Sequence, residues 1–411
     1  MINRSPVSWA SGPPPANGLV ETAGIVAGRP QLLRVMNEES LLNALRKSGP
    51  MMRADLTRVS GLSKPTVGLG LANLERGGLV RVAGRRTGVR GPSAVLYEVN
   101  PEAGLVLALD VGKEYLRGAL ADLAGAVRAR GNRKVHAAKT HARMAELIDL
   151  ARELAGTAGV PLDAMSQVVV GSPGIYDRRR DTLMLAAGLP GWGQAGVVAG
   201  LRRAFGPRTV VENDVNLAAL AERDHGHGRD VGTFAFVSVG TGIGMGLVLS
   251  GQLHKGIHGA AGEIGYLPLD GDSALDVSDA RRRGPMEAAA SAAGVVRAAR
   301  RLGMNGRLSA RKIFEAAAAG DKAAAAVVSE EAKLVARAVA AVSLVADPDL
   351  VVLGGGIGGA PGFAEAVAGE LRRLVPTAPD VRVSAMGGEA IVEGGLRMGI
   401  DMAWRRVLDR A

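Results

Sequence analysis

Residues 234–246 of the chain read Phe-Ala-Phe-Val-Ser-Val-Gly-Thr-Gly-Ile-Gly-Met-Gly, a short apolar run that ends in a cluster of glycines. A second run of this kind covers Leu105–Asp110 and leads into Val111-Gly112. Short runs rich in Val, Leu and Ala predict buried strands, and glycines directly after a strand predict tight turns. Because the same arrangement occurs twice, we expect two similar lobes.

Apolar runs of strand length alternate with alanine-rich helical stretches beyond residue 100. The further predicted strands are Leu116–Asp122, Gln167–Gly171 and Leu350–Leu353. The longest predicted helix is Ala323–Ala346. Strands that alternate with helices are typical of α/β folds, which is the fold class that we expect for this part of the chain.

Composition excludes several classes of protein. The 411 residues are 47% hydrophobic and 22% charged, which is ordinary for a globular protein and argues against global disorder. Cysteine is absent, which excludes disulfides, thiol catalysis and cysteine-ligated zinc. The chain contains no apolar stretch of membrane-spanning length and no signal-peptide layout at its start, so we expect a cytoplasmic protein without a membrane partner.

Positive charge is concentrated near the start of the chain. The formal net charge is +10, from 50 Lys and Arg against 40 Asp and Glu. Between Glu38 and Glu98, ten basic residues stand against five acidic ones, so this short segment carries half of the surplus. Clustered positive charge favours a polyanionic partner.

The basic segment has the pattern of a helix-turn-helix. Apolar spacing predicts a first helix over Glu38–Lys47 and a second over Arg53–Ser60. Gly61-Leu-Ser63 is a tight turn, and Ser63 is the predicted N-cap of a third helix that tolerates Pro65 in its first turn. Two helices joined by such a turn place the second of them in the DNA major groove.

A wing follows the third helix. The strands Val80–Ala83 and Ala94–Val99 flank the basic loop Gly84-Arg-Arg-Thr-Gly-Val-Arg-Gly91, which suits phosphate or minor-groove contact. The predicted DNA contacts are Arg53, Ser63, Lys64, Thr66, Arg85, Arg86 and Arg90. The alternative is a three-helix or protein-interaction domain with a solvated charged face.

In the larger part of the chain, Val210-Val-Glu-Asn-Asp-Val-Asn216 predicts a strand that runs into a helix. Asn213 and Asp214 can bind neighbouring hydroxyls of a polyol there, and Asp214 can act as a general base on one of them. The alternative is that the pair is only a helix N-cap, which Asn and Asp favour.

Two further motifs carry candidate chemistry. The glycine turn within Val239–Gly246 exposes backbone N–H groups that can hold phosphate. Gly256-Ile-His-Gly-Ala-Ala-Gly-Glu-Ile-Gly-Tyr266 and the later Arg283-Gly-Pro-Met-Glu287 supply Glu263 and Glu287, which can close a sugar site. His258 is either part of that site or a structural histidine.

In this order, the winged helix-turn-helix and these motifs resemble the ROK family (repressors, open reading frames and kinases), and in particular its NagC/XylR type of sugar-responsive regulator. The resemblance covers about residues 35–409 and is most specific at Gly256–Gly265. Gly171-Ser-Pro-Gly174 and Gly188-Leu-Pro-Gly-Trp192 also match the family in register. It implies an N-terminal winged helix-turn-helix followed by a two-lobed actin-like, hexokinase-like fold.

The resemblance also implies a domain division. We expect a disordered tail over residues 1–35 and a DNA-binding domain over 36–99. The first α/β lobe would cover 100–225 and take in the C-terminal helix, 389–409. The second lobe would cover 226–388.

Site residues follow from the family kinases. The implied sugar-binding residues are Asn213, Asp214, Glu263, Tyr266 and Glu287, and Asp214 would be the catalytic base if kinase activity survives. The implied phosphate and nucleotide positions are Asp110, Gly112, Gly240, Thr241, Gly242 and Gly354, which we expect to be vestigial.

Three departures from the family pattern bear on function. Lys113-Glu114 replaces the Gly-Thr of the first phosphate turn, and a carboxylate repels phosphate there although Lys113 could compensate. Tyr266 stands at the zinc-ligand His position and Asp272–Met286 contains no Cys, so we expect no zinc, no ATP and no other cofactor. In the third helix, Gly68 and Gly70 each cost about 1 kcal/mol of helix propensity and remove base-reading side chains.

We therefore expect a homodimeric transcriptional regulator of sugar-metabolism genes, a repressor, that binds a double-stranded DNA operator. Its kinase-like lobes would bind a sugar or sugar derivative and mediate dimerisation, with pairing of dimers into tetramers left open. One alternative is an ATP-dependent, glucokinase-like sugar kinase, either alone or bifunctional. Another is a regulator without a ligand, whose lobes only dimerise.

Overall fold

The computed structural model describes residues 30–86, 94–136, 139–186, 188–269 and 277–408. The first helix begins at Pro30, so the prediction that a disordered tail extends to residue 35 is wrong. The helix starts eight residues before the predicted Glu38, because proline is compatible with a first helical turn. Residues 1–29 and most of the predicted wing loop lie outside the described residues.

In the part of the N-terminal domain that the structure describes there are three helices and three short strands. They are α1 (Pro30–Ser48), β1 (Met51–Met52), α2 (Arg53–Ser60), α3 (Lys64–Arg76), β2 (Val80–Arg86) and β3 (Ala94–Val99). The strands form an antiparallel sheet in the order β1-β3-β2. Gly61 ends α2 in a left-handed conformation, and the Ser63 hydroxyl accepts a hydrogen bond from the Thr66 amide at 3.3 Å. The predicted second helix and the N-cap of the third are thus confirmed.

The first lobe follows directly. Its elements are β4 (Leu105–Val111), β5 (Tyr115–Asp122), β6 (Val127–Lys134), α4 (Thr140–Thr157), β7 (Gln167–Ser172), β8 (Ile175–Asp177), β9 (Thr182–Met184), α5 (Val197–Phe205), β10 (Thr209–Asn213) and α6 (Asp214–His225).

The second lobe begins after α6. Its elements are β11 (Phe234–Val239), β12 (Ile243–Leu249), β13 (Gln252–His254), α7 (Val277–Arg283), α8 (Pro285–Ala289), α9 (Ala292–Arg301), α10 (Ala310–Ala318), α11 (Lys322–Ala346), β14 (Leu350–Gly354), α12 (Gly355–Gly358), α13 (Phe363–Leu374) and β15 (Asp380–Val383). The last helix of the described residues is α14 (Ala390–Leu408).

The two lobes have the same sheet topology. The strand order is β10-β7-β4-β5-β6 in the first lobe and β13-β12-β11-β14-β15 in the second. In each lobe, three strands form an antiparallel meander. The first strand of the meander pairs with a parallel strand, which in turn pairs with a second parallel strand. This repeated α/β topology is the predicted two-lobed actin-like, hexokinase-like architecture, and the repeat of strand and glycine turn correctly indicated it.

Helix α14 joins the first lobe to the N-terminal domain. It lies against β4, β7 and α6, and its far end packs near α1. The Trp404 indole is buried and donates a hydrogen bond to the Leu123 carbonyl at 3.1 Å. One hydrophobic core contains Leu41 and Leu45 of α1, Ala121 of β5 and Ile400 of α14. The winged domain therefore shares a core with the first lobe.

The crossing of α14 over α6 is unusually close. A Cβ atom at Gly394 would overlap the backbone carbonyl of Leu217 in α6, and one at Gly395 would lie 3.0 Å from the Ala108 Cβ. Only glycine at position 394 permits this approach of the two backbones. None of the helices within the described ranges combines the length and the apolar character needed to cross a membrane.

We predict that Gly394→Ala destabilises the protein by about 3 kcal/mol or more, because the added methyl group must push two packed helices apart. The matched control is Gly369→Ala in α13, where a Cβ atom would meet no atom within 4 Å. That control should be neutral or stabilising by about 0.5–1 kcal/mol. Urea unfolding followed by circular dichroism measures both, and equal midpoints for the two variants would contradict the packing described above.

Candidate functional site

The candidate site is assembled at the carboxyl ends of strands in the cleft between the lobes. Asp110 lies near the end of β4, and Asn213 and Asp214 lie where β10 meets α6. Both strands flank β7 in one parallel arrangement, so these residues reach the same sheet edge. From the second lobe, Glu263 precedes a short helical turn and Glu287 lies in α8.

Asn213 is the N-cap of α6. Its Oδ1 accepts hydrogen bonds from the amides of Val215 at 3.0 Å and Asn216 at 3.1 Å, which confirms the cap interpretation. Its Nδ2 donates to the Gly174 carbonyl at 3.2 Å. The amide group thereby ties the turn at Gly174 to the strand end and retains one N–H for a ligand.

The acidic side chains of the cleft influence one another electrostatically. Burial raises the pKa of Asp214 to about 6. Burial, and then the charges of Glu287 and Asp214, raise the pKa of Glu263 to about 7. Burial and the charge of Asp214 raise the pKa of Asp110 to about 7. Since each carboxylate penalises its neighbour, the cleft favours partly protonated carboxyl groups near neutral pH.

Tyr266 and Glu287 belong to the same cluster. Burial raises the Glu287 pKa, and burial followed by the charges of Glu263 and Glu287 raises the Tyr266 pKa. The structure therefore brings together all five predicted sugar-binding residues. Carboxylates, an amide and a phenol that converge in a partly buried cleft can form multiple hydrogen bonds with adjacent hydroxyl groups.

The glycine turn after β11 adjoins these acids. A Cβ atom at Gly242 would lie 2.9 Å from the Glu287 Oε2, and one at Gly240 would lie 3.4 Å from the Gly356 amide. The side chains of Asp110, Asp214, Glu263 and Glu287 are called the acidic cluster below. The turn that contains Thr241 is thus placed between this acidic cluster and the glycine turn that follows Gly354. The predicted second phosphate turn and the predicted adenosine-side turn are neighbours.

The first predicted phosphate turn is built differently. Gly112 lies so close to the Tyr115 carbonyl that a Cβ atom would be 2.5 Å from its oxygen. The Gly112 carbonyl accepts a hydrogen bond from the Arg143 guanidinium at 2.6 Å, and Lys113 and Glu114 are exposed. The substituted side chains are therefore accessible in the turn where the resemblance implies Gly-Thr, and both line a pocket between the lobes.

Sequence reasoning missed two ion pairs of the site. Asp110 accepts a hydrogen bond from Arg117 at 3.1 Å, since the two residues are opposite each other in the antiparallel β4–β5 pair. Glu212 pairs with Lys255 and accepts a hydrogen bond from Asn216 at 3.0 Å. The hairpin register, which the glycine turn at 112 sets, was the available signal for the first pair.

A larger cleft opens beside Asn213. Its volume is about 1240 Å³, and Arg178, Lys255, His258 and Arg405 are among its lining residues. His258 is exposed on this wall, which does not fit a buried structural role.

The residues present do not fit the zinc ion of the family. Tyr266, with 39% of its surface exposed, occupies the His position, and the whole sequence lacks cysteine. Across the described ranges no three His, Asp or Glu residues are grouped as a metal site, while residues 270–276 lie outside those ranges. A phenol is a poor substitute for thiolate and imidazole ligands.

The predicted DNA contacts differ in availability. Lys64 and Arg85 are exposed, whereas Arg53 donates a hydrogen bond to the Tyr97 hydroxyl at 2.6 Å and lies over its ring. The hydroxyls of Ser63 and Thr66 are 2.8 Å apart and cap α3. β2 ends at Arg86, and Arg90 lies outside the described residues.

The glycines of α3 have separate roles. Gly70 is buried, and a Cβ atom there would lie 2.7 Å from the Leu41 Cδ1, so this glycine permits close packing on α1. Gly68 meets no atom within 4 Å. Between them Leu69 is 64% exposed, which sequence reasoning did not single out. An exposed apolar side chain on a groove-facing helix can contact thymine methyl groups.

We predict that the free energy of unfolding falls as pH rises from about 4.5 to 7, since Glu263 retains a proton in the folded protein that it has released in the unfolded chain. Glu263→Gln should reduce that slope by up to about 1.4 kcal/mol per pH unit. Glu365→Gln, an exposed carboxylate in α13, is the control and should leave the slope unchanged. Urea titrations across this pH range provide the measurement, and an unaltered slope in Glu263→Gln would contradict the buried cluster.

The chain is similar to two groups of curated proteins. It is 25% identical over 240 residues to the xylose repressor of Bacillus spizizenii, a match that covers 58% of this chain and 62% of the relative. It is 34% identical over 261 residues to the N-acetylmannosamine kinase of Citrobacter koseri, covering 62% of this chain and 85% of the kinase. The match thus spans about three fifths of the length of the repressor.

Among solved structures, the fold is similar to that of a ROK family transcriptional regulator, a homologue of the E. coli MLC protein. The TM-score is 0.75 at 22% identity, and the match covers 92% of this chain and 98% of that chain. The similarity includes the N-terminal domain as well as the lobes, because so little of either chain is left out. Residues 106–392 match the ROK family, and this range contains every side chain of the acidic cluster. The chain therefore belongs to the ROK family.

Proposed function

We propose that this protein is a DNA-binding transcriptional repressor whose kinase-like lobes bind a sugar or a sugar derivative as effector. The observation that carries the proposal is the shared hydrophobic core of the winged domain and the first lobe, which contains Leu41, Ala121 and Ile400. A DNA-binding domain that shares a core with the lobe carrying the polyol cleft is expected to respond to what the cleft binds. The similarity to xylose repressors supports the same assignment.

Sugar recognition would rest on the acidic cluster. Carboxylates of Asp214, Glu263 and Glu287 accept hydrogen bonds from hydroxyl groups, and their mutual repulsion is relieved when hydroxyl donors enter. Asn213 offers its second amide N–H, and Tyr266 offers a phenol at the mouth. The altered position 266 would shape which sugar is preferred.

DNA recognition would use α3 and the wing. Lys64 and Arg85 are exposed for phosphate contact, and Leu69 presents an apolar surface to the groove. One small module gives limited specificity, so we infer a homodimer that binds two half-sites. With few base-reading donors on α3, operator choice would depend on DNA shape as well as on direct contacts.

A chain of ion pairs connects the sugar cleft to the winged domain. Arg46 of α1 lies 2.9 Å from Asp401 of α14, and Arg397 lies 2.9 Å from Asp401 and 3.1 Å from Asp224 of α6. Helix α6 begins at Asp214 in the acidic cluster, so one rigid element carries both the sugar side and the ion-pair side. Movement of α6 on sugar binding would be transmitted through α14 to α1.

The required coupling is modest. If the sugar-bound and sugar-free proteins differ about 100-fold in operator affinity, the coupling free energy is about 2.7 kcal/mol. Changes of this size are within reach of a few rearranged ion pairs and hydrogen bonds in a partly buried interface.

A second candidate function is an ATP-dependent sugar kinase. Asp214 is retained with a raised pKa, the Gly240–Gly242 turn adjoins the acids, and the N-acetylmannosamine kinase is 34% identical. Lys113 and Glu114 in the first phosphate turn oppose this function. Phosphoryl transfer from ATP to a sugar that disappears in Asp214→Asn would establish the kinase.

The direct test selects operator sequences from a random DNA pool and measures their binding with and without a panel of sugars. We predict that Glu263→Gln keeps its operator affinity but loses at least 10-fold of its sugar affinity, since a buried carboxyl group that can accept hydrogen bonds on both oxygens is replaced by an amide with one acceptor oxygen. Glu365→Gln should behave as the unaltered protein. Failure to select any DNA would contradict the repressor, and an unchanged sugar affinity in Glu263→Gln would contradict the assigned cleft.

We further predict that Asp401→Asn uncouples the two sites, because it removes the charge that holds both Arg46 and Arg397. Sugar affinity and sugar-free operator affinity should each stay within about 3-fold, while the effect of sugar on operator affinity should shrink at least 10-fold. Asp230→Asn, an exposed aspartate between the lobes in sequence, is the control. Full sugar response in Asp401→Asn would exclude this route of transmission.

A further inference from the structure

A further pocket, of about 290 Å³, lies within the second lobe. Residues of α8, α9 and α11 line it, together with Leu269 before α7. None of these lining residues belongs to the acidic cluster, to the glycine turns after β11 and β14, or to the winged domain. The pocket is therefore separate from the cleft in which we propose that a sugar binds.

Glu331 of α11 is a buried lining residue of this pocket. Only 3% of its surface is exposed, and its Oε1 atom has no hydrogen-bond partner within the described residues. Burial, followed by the charge of Glu330, raises the pKa of Glu331 to about 8. A carboxyl group that is protonated at neutral pH donates one hydrogen bond and accepts others. Because a buried polar group without a partner costs free energy, a ligand hydroxyl that bonds to Glu331 would be favoured.

Apolar side chains form much of the wall. They are those of Leu269, Val295, Ala298, Val327 and Leu334. An apolar cavity of about 150 Å³ is large enough to bind benzene. At about 290 Å³, this pocket therefore has room for one aromatic ring with a substituent at each end.

The pocket also carries positive charge. Its cationic lining residues are Arg297, Arg301, Lys333 and Arg337, and Glu330 is the acidic lining residue beside Glu331. Arg301 lies 3.2 Å from Glu330. Lys333 and Arg337 are exposed on the same helix as Glu331. With Glu331 protonated, four positive charges and one negative charge leave the lining at about +3, which attracts an anionic group and repels an amine.

We propose that this pocket binds a small aromatic acid that carries a hydroxyl group on its ring. The hydroxyl would bond to Glu331, and the ring would lie against Val295 and Leu334. The carboxylate would pair with Lys333 and Arg337. A rigid ring loses little conformational freedom on binding, which favours it over a flexible chain of the same size. This site is independent of the proposed function, because its residues lie apart from the acidic cluster and the winged domain.

The test is isothermal titration calorimetry on the full chain with two acids of different length, para-hydroxybenzoate and para-hydroxyphenylpropionate. Each acid is compared with the acid that lacks the hydroxyl and with the amide that lacks the charge. We expect at least one hydroxy acid to bind 10-fold or more tightly than either of its two counterparts.

Two variants of Glu331 locate the hydroxyl group. Glu331→Leu should bring the hydroxy acid to the affinity of the acid without the hydroxyl. It replaces an unpartnered buried carboxyl group with an apolar one of similar size, so the variant should fold, and thermal unfolding checks this. Glu331→Gln retains a donor and an acceptor and should keep the affinity for the hydroxy acid within about 3-fold.

A double variant locates the carboxylate. Lys333→Gln combined with Arg337→Gln should remove the preference for the acid over its amide and leave the affinity for the amide within about 3-fold. Both side chains are exposed, so the double variant should also fold. Lys322→Gln, an exposed lysine of the same helix that does not line the pocket, is the matched control and should bind as the unaltered protein does.

Three results would overturn the site. The first is that neither hydroxy acid binds to the unaltered, folded protein. The second is that a hydroxy acid binds with the same affinity to Glu331→Leu and to the double variant, which would place it elsewhere on the chain. The third is self-association of the chain that the double variant abolishes while no acid binds, which would assign this face to a second copy.

Discussion

The close crossing of α6 and α14 is the constraint on which the rest of the structure depends. Gly394 allows the backbone of α14 to reach the Leu217 carbonyl, so the two helices are closely packed. The start of α6 carries Asn213 and Asp214, while the end of α14 carries Trp404 beside the winged domain. The same contact therefore places the acidic cluster and the winged domain at opposite ends of this helix pair. Because packed helices shift as units rather than deform, a displacement at one end of the helix pair is expected to be transmitted to the other end.

The buried carboxyl groups of the cleft reduce the stability of the folded chain. Asp110, Asp214 and Glu263 are held with raised pKa values because burial and mutual repulsion disfavour their charged forms. Such an arrangement costs free energy in the absence of a ligand, and ligand hydroxyl groups or a nearby cation offset the cost. A separate pocket between the lobes is lined by the cationic side chains of Lys113, Arg282, Arg283 and Arg297, and Arg283 lies 3.3 Å from Glu287.

The chain is similar both to a sugar kinase and to sugar-responsive repressors, so the acidic residues alone do not separate the two functions. The features that distinguish a regulator from a kinase are the first phosphate turn and the N-terminal domain. Lys113 and Glu114 replace small residues in that turn, and the winged domain occupies a face of the first lobe with which it shares a core. An acidic cluster beside a changed first phosphate turn is consistent with the proposed sensor, because a sensor must bind its ligand without consuming it.

The sequence by itself was sufficient for the local elements and for the identity of the acidic residues. Periodicity and capping predicted α2 and the N-cap Ser63, and the repeated glycine turn predicted two similar lobes, since these signals act within a few residues. It was not sufficient for contacts between distant segments. The start of α1 at Pro30, the burial of Gly70 against Leu41 and the pairing of Arg46 with Asp401 depend on which surfaces meet after folding. The same holds for the pocket between the lobes, whose cationic side chains come from positions 113, 282, 283 and 297. Only the tertiary structure decides these contacts between distant segments. The packing of whole elements determines which side chains meet across a cleft, and it leaves no short-range pattern in the sequence.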